Sequence, residues 1–199
     1  MNLTILPIVE GQSEVESVPI LLRRICHQMQ ASNIQIARPF RIKRNKVVKT
    51  GELERAIEQG IRDRGNIGAI LLLLDADEDC PATLAPELLE RCRQTKPHLP
   101  VAVVLATIEM EGWFLGGKES LRGVCGIKPD AVAPPNPESI RGAKERLSKN
   151  MEHGRRYLET DDQPALAVKL DFELTKSRCP SFDKFLREVQ NLINLIQGK

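Results

Sequence analysis

A chain of 199 residues with 41% hydrophobic side chains is long enough to bury one full core with a small appendage. Its 29 basic and 27 acidic residues nearly cancel, so the overall charge singles out no class of partner. Five scattered cysteines (Cys26, Cys80, Cys92, Cys125, Cys179), with no C-x-x-C pair, argue against a disulfide scaffold or zinc ribbon and fit a reducing cytosol. The opening residues lack the basic stretch and cleavage site of a signal peptide, and no apolar run approaches the roughly 20 residues of a membrane span. The expectation is a soluble cytoplasmic protein without a membrane contact.

In chain order, the apolar, β-branched run Leu3–Val9 predicts a buried strand that stops at Glu10-Gly11. Ser13 reads as the cap of a helix carrying Val15, Val18, Leu21, Leu22 and Ile25 at helical spacing. Residues 34–42 alternate as a second strand, and Thr50 or Gly51 opens a helix ending near Gly65. The continuous apolar run Ala69–Leu74 has the composition of a parallel strand covered on both faces. A helix over 83–92 and a fourth strand over 100–107 follow. Beyond Gly126 the pattern weakens. A proline-rich loop at 128–137 leads to helices over 139–151 and 180–196, flanking a shorter stretch around Leu166–Leu174.

This β-α-β-α-β-α-β order predicts an α/β domain over residues 1–126, with a mainly parallel four-stranded sheet and helices on both faces. Residues 127–199 are expected as a mostly helical C-terminal extension packed on the same domain. In such sheets ligands bind beyond the carboxyl ends of the strands. Acidic clusters stand at those ends: Glu10 and Glu14, then Asp75, Asp77 and Asp79, then Glu109 and Glu111. Carboxylates this close repel unless neutralised, and the usual partner of an all-oxygen set is Mg²⁺ or Mn²⁺. In an extended segment Asp75, Asp77 and Asp79 would share one face. Glu10 adds a ligand or general base, and Glu14, one helical turn on, can return to the same place. The implied chemistry is metal-dependent attack on a phosphate-containing substrate, nucleic acid above all.

The pattern Val9-Glu10-Gly11-x-x-Glu14 after a first strand, followed by Leu74-Asp75-Ala76-Asp77 after a third, resembles the TOPRIM domain. That domain is shared by topoisomerases, primases, recombination mediators and OLD-type nucleases. The version here looks most similar to stand-alone proteins of the OLD-nuclease type, found beside ATPases in bacterial defence loci. The resemblance covers roughly residues 1–115. It implies a TOPRIM-like fold, Glu10 as metal ligand or acid/base, Gly11 in the tight turn, Glu14 as a further ligand, and Asp75, Asp77 and Asp79 as the remaining metal set. It further implies a Mg²⁺-dependent nuclease acting on nucleic acid, DNA in the first instance, with a separately encoded ATPase partner in phage defence or DNA processing. The single tyrosine, Tyr157, has no place as a topoisomerase nucleophile, and neither a zinc module nor a P-loop is present in the sequence.

Other residues extend the set. Glu111 is a candidate ligand for a second ion, and Trp113 beside it either walls a pocket or packs in the core. Arg38, Arg41, Lys43, Arg44, Lys46 and Lys49 form a basic segment uninterrupted by acid, suited to holding a phosphate backbone without reading sequence. Among Lys144, Lys169 and Lys176, Lys169 in its apolar stretch is the favoured catalytic lysine. The terminal helix is apolar enough for core packing or for the face of a homodimer.

Two other enzyme readings use the same acids. Leu71–Asp79 resembles the opening strand of haloacid-dehalogenase phosphatases, but Asp79 stands where that pattern wants Thr or Val. A nucleotide-sugar transferase would use Asp75-Ala76-Asp77 and leave Glu10 and Glu14 idle. A third reading is a non-catalytic nucleic-acid-binding or regulatory subunit.

Overall fold

The structure, a computed structural model, describes residues 3–198. Strands β1 (Thr4–Val9), β4 (Ala69–Asp75) and β5 (Val101–Ala106) form the parallel body of the sheet, in the order β1-β4-β5. The two short strands β2 (Gln35–Ile36) and β3 (Phe40–Arg41) pair in parallel with successive parts of β1, Thr4–Ile5 and Ile8–Val9. The single strand expected over 34–42 is therefore broken. Pro39 has no N–H for the ladder, and pairing resumes at Phe40 and Arg41, beyond which Ile42 N–H donates to the Val9 carbonyl at 2.9 Å. The sheet is five-stranded rather than four-stranded for this reason.

Period-two alternation sorts the central strands onto two cores. Ile5, Val9, Leu71, Leu73, Ala102 and Val104 face α1 (Gln12–Gln28) and the C-terminal helices, whereas Leu6, Ile8, Ile70, Leu72, Val103 and Leu105 face α3 (Glu52–Arg64) and α4 (Pro81–Thr95). Both faces are dry, which is why Ala69–Leu74 is apolar without interruption. Helix α1 starts at Gln12 after Gly11, so Ser13 lies inside the first turn, buried, rather than capping it.

Beyond β5 run α5 (Glu111–Gly116), α6 (Ala143–Lys149), α7 (Glu159–Lys169), α8 (Phe172–Arg178) and α9 (Pro180–Gln197). The stretch around Leu166–Leu174 thus spans the end of one helix and the start of another. Helix α7 packs along α1, and α9 lies on β5 and α1. Phe182, Phe185, Leu186, Val189, Leu192, Ile193 and Ile196 are all buried there, so the apolar face of the terminal helix is core within one chain. Trp113 belongs to this core. It meets Phe182 edge-on at 5.1 Å and Phe185 at 5.2 Å, and its indole N–H donates to Ser181 Oγ at 2.8 Å. It walls no pocket. Among the described residues no helix is long and apolar enough to cross a membrane.

Candidate functional site

The carboxyl ends of β1, β4 and β5 meet at one edge, and each delivers acids there. At the end of β1, Glu10 leads into Gly11 and the first turn of α1. The Glu14 side chain folds back over that turn: a Cβ at Gly11 would lie 2.1 Å from Glu14 Oε2. In this arrangement glycine leaves room for the second glutamate to return towards the first. The short segment α2 (Arg44–Val47) closes the other side, with Arg44 near enough to the Glu10 carboxylate to favour its charged form. Burial, then the charge of Asp77, push the Glu10 carboxyl above its ordinary range, against the pull of Arg44.

Asp75 is the last residue of β4, and its Oδ1 accepts the Met110 N–H at 2.8 Å. Burial pushes its carboxyl well above the usual range, and the charges of Glu111, Glu14 and Glu10 add to that push. Acids from three strand ends therefore sense one another at Asp75. The extended geometry ends at this residue. Asp77 adopts a left-handed conformation (φ 50°), its N–H donates to the carbonyl of Ile108 (φ 61°), and Asp79 N–H turns back to the Ala76 carbonyl. A left-handed β-branched residue costs on the order of 1–3 kcal/mol, strain of the kind found at functional sites. The shared face expected for Asp75, Asp77 and Asp79 does not exist beyond Asp75, because the chain is turning. Asp79 is exposed and ion-paired with Arg44, and Glu78 is ion-paired with Arg141.

Glu111 opens α5 and is 1% exposed. Its Oε1 accepts the Tyr157 hydroxyl at 3.1 Å and the Gln163 amide at 3.3 Å, and Gln163 accepts the Ser17 hydroxyl at 2.6 Å. Its Oε2 has no hydrogen-bond partner. Burial lifts the carboxyl to about 7, with Glu14 and Glu159 adding and Lys144 opposing. Lys144, on α6, bonds Glu159 at 2.9 Å. Burial would lower its pKa, yet the charges of Glu111, Glu159 and Asp75 raise it overall. Glu109 holds that helix in place, its Oε1 accepting the Gly142 N–H at 3.2 Å where α6 begins.

The structure brings together Glu10, Glu14, Asp75, Asp77 and Glu111, with Asp79 at the rim. Lys169 is not among them. It is exposed at the last residue of α7, at the opposite end of that helix from Glu159 and Lys144. The lysine at the acids is Lys144, and neither Lys144 nor the Tyr157–Glu111–Gln163 network carries a local sequence signal, since packing of α6 and α7 alone brings them in. Of the basic segment, Arg38, Arg41, Lys43, Lys46 and Lys49 are exposed, whereas Arg44 is turned inward, its side chain 12% exposed. Its guanidinium pairs with Asp79.

Among the described residues no three Asp, Glu, His or Cys side chains converge into a ready-made metal cage. The donor chemistry nevertheless fits a hard cation. Glu10 Oε2, Glu109 Oε2 and Glu111 Oε2 are buried oxygens without a hydrogen-bond partner, and buried carboxylates left so are costly unless a cation or proton meets them.

A model of the family described as domain of unknown function DUF4276 matches residues 9–190. No curated protein matches the chain. Among solved structures, the C-terminal region of the Xanthomonas campestris pv. campestris OLD protein aligns over 98% of both chains, at 15% identity and a TM-score of 0.47.

Proposed function

The chain belongs to the DUF4276 family, and from the acids gathered at its strand ends we propose a metal-dependent nuclease that hydrolyses phosphodiester bonds of nucleic acid. The observation that carries this reading is the pair of unpartnered buried carboxylate oxygens on Glu10 and Glu111, two acids whose charges act on Asp75, at the edge where α/β sheets bind ligands. The resemblance of Val9-Glu10-Gly11-x-x-Glu14 and Asp75-Ala76-Asp77 to the OLD-type TOPRIM pattern supports it.

Glu10, Glu14, Asp75, Asp77 and Glu111 are the residues that would hold Mg²⁺ or Mn²⁺, with Asp79 joining once Arg44 releases it. Bound there, the ion supplies Lewis acidity towards a phosphoryl oxygen and lowers the pKa of a water molecule. The protein groups do the rest. Glu10, its carboxyl lifted by burial, takes the proton of the attacking water. Lys144 places positive charge where the phosphoryl oxygens become more negative. Arg41, Lys43, Lys46, Lys49 and Arg38 hold the flanking backbone by charge, without reading bases. DNA is the substrate this reading favours, and a separate ATPase partner, in phage defence or DNA processing, follows from the family resemblance.

The test is cleavage of supercoiled plasmid in Mg²⁺, Mn²⁺ or EDTA, beside an Asp75→Ala/Asp77→Ala variant. Metal-dependent nicking that disappears in the variant is the expected result. Plasmid binding without cleavage in any metal would instead favour a non-catalytic recognition subunit.

A further inference from the structure

Beside the acid edge lies a second concave site of opposite charge. A cavity of about 450 Å³ opens between β3, the 42–46 segment and the first turns of α3, lined by Phe40, Arg41, Lys43, Lys46, Glu52 and Arg55. Its volume lies within the range of about 300–1,000 Å³ typical of small-ligand sites. Four cations face one carboxylate. Glu52 is matched by Arg55 at 2.9 Å, and Arg41 donates to the neutral Gln12 Oε1 at 3.0 Å. Lys43 and Lys46 are exposed and have no ion-pair partner among the described residues. The cavity therefore keeps an excess of positive charge.

Its other wall is apolar. Ile42 and Ala56 contribute buried surface, and Phe40 contributes an aromatic ring held against α3. Gly60 permits that approach: a Cβ there would lie 3.5 Å from Phe40 Cβ and Cγ and 3.0 Å from Leu6 Cδ2. The Arg64 guanidinium sits 5.4 Å from the ring centroid and fixes it further. Cations beside an aromatic and aliphatic wall are the two halves of nucleotide recognition, charge for phosphate and a flat apolar surface for sugar or base.

The position is equally informative. Arg41 is in register with Val9, the residue before Glu10, and Arg44, three residues on, pairs with Asp79 and lends its charge to Glu10. The strip from Arg41 to Arg44 thus has the acids on one side and the cavity on the other. We propose that this cavity is a nucleotide subsite, which takes the nucleoside phosphate flanking the bond to be cleaved. The word flanking rests on the nuclease reading; binding of a nucleotide in the cavity does not. The subsite converts a diffuse basic loop into a defined contact, and it adds Phe40 and Arg55 to the residues that hold substrate.

The experiment is calorimetric titration of the full chain with thymidine 3′,5′-bisphosphate in EDTA, where the acid edge has no ion to recruit a phosphate. Wild type is expected to bind, and Lys43→Glu/Lys46→Glu to weaken binding at least tenfold. Arg62→Glu/Arg93→Glu, an equal charge reversal on exposed residues outside the cavity, is expected to stay within twofold. Inorganic pyrophosphate should bind less tightly than the bisphosphate. No binding by wild type, equal loss in both double variants, or pyrophosphate binding as tightly as the nucleotide would each overturn the subsite. Bisphosphate binding with no plasmid cleavage would defeat the nuclease reading and leave the subsite standing. Cleavage with KM unchanged in Lys43→Glu/Lys46→Glu would do the reverse.

Discussion

The two sides of the acid edge are built from the same residue type and behave differently. On the side of β1 and α2, Glu10 and Asp79 are met by Arg44, and Asp77 and Asp79 reach solvent. On the side of α5 to α7, Asp75 and Glu111 sit among protein atoms, with Lys144 as the nearby cation and Tyr157 and Gln163 as hydrogen-bond donors. On the first side the opposing effect of burial on Glu10 is offset in part by Arg44, whereas on the second side burial dominates at Asp75 and Glu111. The lesson is that a cluster of carboxylates is not one electrostatic object. The wet side can exchange its counter-charge for an incoming ion or phosphate, and on the dry side burial holds the Glu111 carboxyl at about 7 and pushes Asp75 well above its usual range.

The largest expected effect breaks the dry side outright. Asp75→Ala should lower metal-dependent plasmid cleavage by at least about 10³-fold, in the range that loss of a principal electrostatic group produces. The fold should survive, because the substitution removes a charge that burial disfavours. Unchanged cleavage would remove Asp75 from the chemistry. Next, Lys144→Ala should cost about 10²-fold in kcat, whereas Lys169→Ala, exposed at the far end of α7, should leave kcat as it was. The reverse ranking would place the active lysine elsewhere.

A stability measurement sharpens the contrast. With the Glu111 carboxyl lifted from 4.5 to about 7, the folded metal-free protein binds a proton more tightly than the unfolded chain. Its contribution is fully present below about pH 4.5 and is lost as pH rises through about 7, a span worth about 3 kcal/mol. Glu111→Gln keeps an acceptor for Tyr157 and cannot ionise. In EDTA it should melt higher than wild type at pH 8 and nearly equal to it at pH 5. A difference independent of pH would show that Glu111 is not the titrating group.

The smallest expected effect is on the wet side. Arg44→Gln should destabilise the protein by no more than about 1 kcal/mol, since Asp79 is more than half exposed and solvent takes over its charge. It should leave bisphosphate binding within twofold of wild type, because the guanidinium faces the acids rather than the basic cavity. A tenfold loss of nucleotide binding would return Arg44 to the substrate-holding set.

Much of this was legible in the residues. The alternation of β1, β4 and β5, their parallel order and the acids at their carboxyl ends were written locally, because each strand carries its own two faces and its own terminus. Gly11 was legible as a turn, and the contact behind it, with the Glu14 side chain three residues on, is local as well. The broken edge strand was half legible, since Pro39 stood in the run that alternation marked as continuous. The same applied to Asp77 and Asp79, whose spacing suited an extended strand until the chain turned into a left-handed residue to reach Ile108.

By itself, the chain determined an α/β sheet with acids gathered at one edge, because hydrophobic period and strand-end chemistry are properties of short segments. Only the tertiary structure decided which lysine meets those acids, which arginine is withdrawn from the surface, and which glutamate is dry. Those choices depend on α6 and α7 docking on α5 and α1 through contacts such as Glu109 with Gly142 and Ser17 with Gln163. Contacts that join residues 33 and 146 positions apart leave no periodic trace in the sequence, and burial, which sets the charge state of each acid, exists only once they are made.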